Sequence, residues 1–162
     1  MMVIDTDILS MFGKIDAVDL IVQLFSAQAV MTPRIQDELA APLEYGYTFP
    51  LKALAKIRTV SLGAQALDEY ARFQGELSLG KGELEAIAYC KTAQCGFATN
   101  DEKARELARR EGVPVISLQA ILKALWKKGI TSKGEVKQIL ERIKEVDNLV
   151  VSRAVEATIF ED

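Results

Sequence analysis

The stretch that decides the fold is Met2-Val3-Ile4-Asp5-Thr6-Asp7, reading MVIDTD, with Ile8-Leu9-Ser10 behind it. Three apolar residues run straight into two acids. The apolar run reads as a buried strand over 2–5, and Asp7 to Phe12 reads as the helix that follows it. One Asp would suffice to open that helix. The second carboxylate, where a hydrophobic strand leaves the core, raises the question of metal binding, which needs further acids from elsewhere in the chain.

Working outward, the strand-then-helix pattern repeats. Ala17 to Phe25 carries apolar residues at three- and four-residue spacing (Val18, Ile21, Val22, Phe25), and Ala29-Val30-Met31 is a second short strand. Thr32-Pro33 starts a helix, with Thr as N-cap and Pro at the first helical position. That helix carries Glu38 and stops before Pro42. Residues 42–51 hold two prolines and a glycine and read as a loop or broken helix. Residues 57–62 alternate as a strand, and 64–73 are helical. Gly80 and Gly82 punctuate before the helix GELEAIAYC, and 96–99 form a strand. Residues 101–111 are a helix ended by Gly112, and 113–116 are the last strand. Helices follow over 118–126 and 133–146, and Ser152 caps a short closing helix. Strands alternating with helices predict an α/β sandwich, a parallel sheet covered on both faces. The 162 residues are expected to form one domain, with about 130–162 as a C-terminal helical extension.

Composition narrows the chemistry. There is no histidine, which excludes Ser-His-Asp, Cys-His and His-metal sites. Two cysteines without histidine cannot complete an ordinary four-ligand zinc site, so Cys90 and Cys95 are expected to be free. No apolar run approaches the ~20 residues of a membrane helix, and the N-terminus lacks the basic stretch of a signal peptide; a cytoplasmic protein is expected. The net charge of −3 is not that of a general basic nucleic-acid binder.

Acids recur where strands end and helices open. Asp5 and Asp7 follow the first strand, Glu38 lies on the helix after the second, Glu83 and Glu85 open the helix after Gly80–Gly82, and Asp101 follows the strand ending at Thr99. Taken singly each has an ordinary structural role: Asp7 and Asp101 as N-caps, Glu83 in a first turn favouring the helix dipole, Glu38 on a solvated face. Their shared location is what those roles leave unexplained. In an open parallel sheet the crevice outside the carboxyl ends of the strands is the default ligand site. Two carboxylates ~4 Å apart repel by about 4 kcal/mol at an effective dielectric near 20, so acids gathered there either protonate or recruit a cation. Oxygen ligands alone suit Mg²⁺ or Mn²⁺. Glu83 and Glu85 lie ~200° apart around a helix and cannot both point into the crevice; geometry does not choose between them.

VIDTDILS, MTPRIQDELA, GKGELEAIAYC and ATNDEKARELARREGVPVIS, in that order, resemble the PIN-domain family of ribonucleases, which includes the VapC toxins of toxin–antitoxin pairs. The resemblance runs through about Lys128. The GxGExEAI stretch and Gly129-Ile130 look closest to a prokaryotic, often archaeal, subgroup of unassigned function. The resemblance implies a three-layer α/β/α fold and an acidic quartet that binds Mg²⁺ or Mn²⁺ and cuts RNA. The quartet falls on Asp5, Glu38, Glu83 and Asp101, with Asp7 and Thr99 as supporting polar residues. Glu stands where the family more often has Asp as third acid, which leaves Glu85 as the alternative. The resemblance also implies a homodimer and an antitoxin partner. Lys81, Lys103, Arg105 and Arg109 are candidates for RNA contact, although with Glu102, Glu106 and Glu111 interleaved a solvated helix laced with ion pairs is the plainer expectation. Tyr45, Tyr47 and Phe49 could stack bases; loop packing is the plainer expectation. Two other classes compete. VIDTDILS also resembles the DxD opening of haloacid-dehalogenase-type phosphatases, which gives Glu38 and Glu83 no role. A non-catalytic PIN-like module for binding RNA or protein is the other.

Overall fold

The computed structural model describes residues 1–162. Its centre is a five-stranded, all-parallel sheet of β1 (Met2–Ile4), β2 (Ala29–Met31), β3 (Arg58–Thr59), β4 (Gly96–Ala98) and β5 (Val115–Ile116), in the order β3-β2-β1-β4-β5. Val3 pairs with Val30 on one side and Phe97 on the other. The three central strands are apolar and almost wholly buried, as a parallel sheet covered on both faces requires. The covering helices are α1 (Thr6–Lys14), α2 (Val18–Leu24), α3 (Pro33–Ala40), α4 (Leu51–Lys56), α5 (Ala64–Arg72), α6 (Lys81–Ala93), α7 (Glu102–Arg110), α8 (Leu118–Lys127), α9 (Lys133–Asp147) and α10 (Arg153–Phe160). The α/β class and the parallel sheet expected from the strand–helix alternation are what the chain adopts.

From β1 the chain builds outward through β2 and β3, then crosses back to lay β4 and β5 on the other side of β1. The direction reverses between β1 and β4, so the crevice lies outside the carboxyl ends of those two strands. Ile8, Leu9 and Phe12 of α1 are fully buried and fix its start over this crevice; each such side chain contributes roughly 1.5–3 kcal/mol by leaving water. At the far end of the chain, α9 buries Val136, Ile139, Leu140 and Ile143. Arg142 donates to the Ile15 carbonyl at 2.8 Å, Lys14 pairs with Asp147 at 2.7 Å, and Trp126 Nε1 donates to the Ile159 carbonyl at 2.8 Å, tying α8, α9 and α10 to the body. No helix is long and apolar enough to cross a membrane.

The differences from the sequence reading are local. β1 ends at Ile4 because Asp5 is already the N-cap of α1, so the helix begins at Thr6 rather than Asp7. Of the expected strand 57–62 only Arg58 and Thr59 pair, on the open edge of the sheet. The six-residue α4 before it went unread, since less than two turns carries no resolvable period. The Pro-rich stretch forms a 3₁₀ turn over Ala41–Tyr45 closed by Gly46 at φ 85°.

Candidate metal centre

Asp5 leaves the sheet in extended conformation (φ −69°, ψ 155°), its own N–H still donating to the Ala98 carbonyl of β4 at 2.9 Å. Its carboxylate is then held at both oxygens. Oδ1 accepts from Thr6 N–H at 2.8 Å, and Oδ2 accepts from the Thr99 hydroxyl at 2.5 Å. The buried Thr99 hydroxyl also accepts from Asp101 N–H at 3.1 Å. Asp101 caps α7, with Oδ1 accepting from Ala104 N–H at 2.9 Å. One threonine thus couples the acids that follow the two central strands. Arg105 donates to the Thr99 carbonyl at 2.9 Å and fixes the strand end from below.

The remaining acids approach from helices. Glu38 on α3 accepts at Oε2 from the Thr6 hydroxyl at 2.8 Å. Its carboxylate lies so close to α6 that a Cβ built on Gly82 would stand 2.5 Å from Oε1. Only glycine admits this approach. Glu83, in the first turn of α6, accepts at Oε1 from Gly80 N–H at 3.1 Å, while its Oε2 is buried with no hydrogen-bond partner. Asp7 accepts at Oδ1 from Ile8 N–H at 2.7 Å. These side chains line one cavity of about 350 Å³ made by Asp5, Thr6, Asp7, Glu38, Gly80, Glu83 and Asp101. The carboxylates ring the space without closing on one another: no three stand as a ready-made ligand set.

Their mutual effect shows in their acidities. Burial, then the charge of Asp7, pushes the Asp5 carboxyl well above the usual range, against the lowering effect of Thr99. Burial raises Asp7 to about 6, with the charges of Asp101 and Asp147 adding to it. Burial raises Glu83 to about 7, reinforced by Asp101, Asp7 and Glu38. Three crowded carboxyls whose ionisation is made harder, and one buried oxygen left unpartnered, are what a hard divalent cation relieves, and an all-oxygen donor set is the chemistry such an ion prefers. The donor chemistry therefore suits a hard divalent cation.

Glu85 lies outside the cavity. It accepts from Arg34 N–H at 2.9 Å and sits 3.6 Å from Arg34 Nε, capping the start of α3 from a distance of 51 residues. Thr32, expected to cap that helix, makes no side-chain cap, and its buried hydroxyl has no partner. Lys81 and Lys103 are exposed and form no ion pair, but neither lines the cavity, and Arg105 is engaged with backbone. Tyr45 and Tyr47 are exposed, and only Phe49 is half-buried, edge-on to Tyr47. Cys90 and Cys95 are free and buried. Sequence reasoning passed over Thr6 and Gly82. The threonine between two acids was a legible signal for the first, and the GKGE spacing, read only as punctuation, for the second.

Fold and cavity together define a class, the parallel α/β domains with an acid-lined crevice at the strand-order reversal. Within it, this chain belongs to the PIN-domain family: a family model described as "PIN domain" matches residues 1–161, well past the Lys128 limit of the motifs quoted above. No curated protein matches the chain.

Proposed function

We propose that this PIN-domain protein is a Mg²⁺- or Mn²⁺-dependent endoribonuclease, with Asp5, Glu38, Glu83 and Asp101 as metal-binding and catalytic acids. The observation that carries this reading is that all four, from positions spread over nearly a hundred residues, line one cavity at the crevice. Family membership supports nuclease chemistry in general; the RNA substrate, a homodimeric state, a toxin role with an antitoxin partner and a cytoplasmic location extend it as expectations. The chain is read as one PIN-like unit over 1–162, with 130–162 as its helical extension. A bound divalent cation would supply activation of water and stabilisation of the charge that builds at phosphorus.

The chain's own residues prepare that step. Asp5 is held by Thr6 N–H and the Thr99 hydroxyl, and Asp101 by Ala104 N–H, so both oxygens keep fixed directions without reorganising. Glu38 is aimed by the Thr6 hydroxyl and the gap at Gly82. Glu83, whose carboxyl burial raises to about 7 without a cation, would offer its unpartnered Oε2 to the ion, which favours the ionised form. Asp7 stands in the same cavity as a supporting carboxylate, its Oδ1 held by Ile8 N–H. Glu85, engaged with Arg34, is not counted among the acids. The phosphatase alternative leaves the Glu38 and Glu83 positions without a task.

The test is cleavage of a labelled single-stranded RNA with Mn²⁺, comparing wild type with Asp5→Asn. Loss of cutting in the variant, and in wild type with EDTA, is expected. Equal rates, or activity that survives chelation, refute the proposal.

A further inference from the structure

RNA affinity comes largely from cations that neutralise phosphates, and the acid cavity offers none. Lys81 and Lys103 stand singly outside it, and Arg105 is engaged with Thr99. The densest positive region lies elsewhere. Residues 123–137 hold five lysines (123, 127, 128, 133 and 137) against one acid, Glu135, in a chain whose net charge is −3. Glu135 accepts from the Thr131 hydroxyl. Lys133 has only the exposed Asp162 within reach, at 3.9 Å; the other four make no ion pair, although half the chain's remaining cations are paired.

Three of these lysines stand over aromatic rings where α8, α9 and α10 meet. Lys133 Nζ stands 4.6 Å and Lys127 Nζ 5.5 Å from the Trp126 ring, and Lys137 Nζ stands 5.3 Å from Phe160. Trp126 is pinned by its bond to the Ile159 carbonyl. Lys123 lies one turn before Lys127 on α8, and Lys137 one turn after Lys133 on α9, so each pair shares a helix face. α8 starts where β5 ends, at the crevice side, and its ten residues carry this group about 15 Å away.

We propose that this lysine–aromatic surface is a second RNA contact, gripping the backbone of single-stranded RNA without regard to sequence while the acid cavity takes the phosphodiester to be cut. The assignment of RNA rests on the nuclease reading. Charge complementarity selects a polyanion, and flat rings beside free cations suit a single strand.

The test separates the two proposals. Binding of a fluorescein-labelled, mixed-sequence single-stranded RNA is titrated in EDTA across a salt series, with wild type and a variant carrying K123Q, K127Q, K133Q and K137Q. Each neutralised phosphate contributes ~0.7 to the salt slope for single strands, so the slope is expected to flatten by about 3. RNA is also expected to protect Lys127, Lys133 and Lys137 of wild type from acetylation more than Lys52 and Lys56, a readout that needs no variant. An unchanged slope with no protection overturns the surface while leaving Mn²⁺-dependent cutting untouched. RNA bound with the predicted slope but never cut overturns the nuclease reading instead. Binding of phosphatidylcholine–phosphatidylserine vesicles without RNA binding also overturns this proposal, in favour of a membrane partner.

Discussion

Gly82→Ala separates folding from function. The new Cβ would meet Glu38 Oε1 at 2.5 Å and Cδ and Oε2 at 2.9 Å, against an ordinary contact of 3.4 Å or more. What it meets is the end of a flexible side chain, so the backbone need not move; the carboxylate retreats by about 0.9 Å and strains its 2.8 Å bond from the Thr6 hydroxyl. Within α6 alanine is the better helix former by up to about 1 kcal/mol. Losing one half-exposed hydrogen bond costs about 0.5–1.5 kcal/mol. The two nearly cancel, and the melting temperature should stay within a few degrees of wild type. Function has no such compensation, because displacing a catalytic group by about 1 Å can cost ~100-fold in rate. The assays are thermal melting, Mn²⁺ titration calorimetry and RNA cleavage, each repeated in a Glu38→Ala background where Gly82→Ala should add nothing. A folded Gly82→Ala protein that binds Mn²⁺ and cuts RNA as wild type does would remove Glu38 from the working site.

Other perturbations read other parts of the cavity. Asp7 and Glu83 are acids whose carboxyls are raised by burial, to about 6 and about 7 from ordinary values of 3.8 and 4.5. The folded state then holds protons that the unfolded state releases, so metal-free stability should fall as pH rises from about 4 to 7, by about 2 kcal/mol from Asp7 alone; melting curves in EDTA measure it, and Mn²⁺ should restore the loss at pH 8. Thr99→Val removes the donor to Asp5 and the acceptor for Asp101 N–H; urea unfolding should show a loss of about 1–3 kcal/mol, and calorimetry a 10- to 100-fold weaker Mn²⁺ affinity. Glu85→Gln should weaken the start of α3 and lower the melting temperature yet leave Mn²⁺ affinity unchanged, whereas Glu83→Gln should abolish binding.

How much of this was legible in sequence depended on the range of each interaction. β1, β2 and β4 announced themselves as short apolar runs bounded by polar residues, and Ser152 as a cap, because burial and capping are written into adjacent residues. Of the five acids that line the cavity, Asp5, Asp7, Glu83 and Asp101 were legible because each follows a strand or opens a helix at the crevice end, and Glu38 because it rides on the helix after β2. What was not legible came from contacts across the fold. Nothing near Glu85 shows that it substitutes for Thr32 at the start of α3, since that bond spans 51 residues. Nothing around Gly82 shows that Glu38 lies against it until α3 and α6 are packed. The edge strand shrank to two residues because only one neighbour, β2, is there to pair with it.

The sequence framed capping and metal binding as competing explanations for the acids after β1 and β4, and the structure makes the two compatible. Asp5 and Asp101 are both N-caps, and both line the cavity. Capping engages Asp5 Oδ1 and Asp101 Oδ1 with helix N–H groups, a contact made regardless of any cation. Each carboxylate is thereby pinned at the mouth of its helix, with lone pairs left to face the crevice. The cap is the positioning device. It also offsets part of the cost of burying the charge, since backbone N–H groups favour the ionised form that desolvation and neighbouring acids oppose. Capping does not cancel the burial, however: the Asp5 carboxyl is still held well above the usual range. Asp7, two residues on and not the cap, rises to about 6, with Asp101 and Asp147 adding to the effect of burial. A metal-free cavity should therefore be frustrated at Asp5 and Asp7 as well as at Glu83, whose Oε2 has no partner. It is this shared frustration that a divalent cation would relieve on binding.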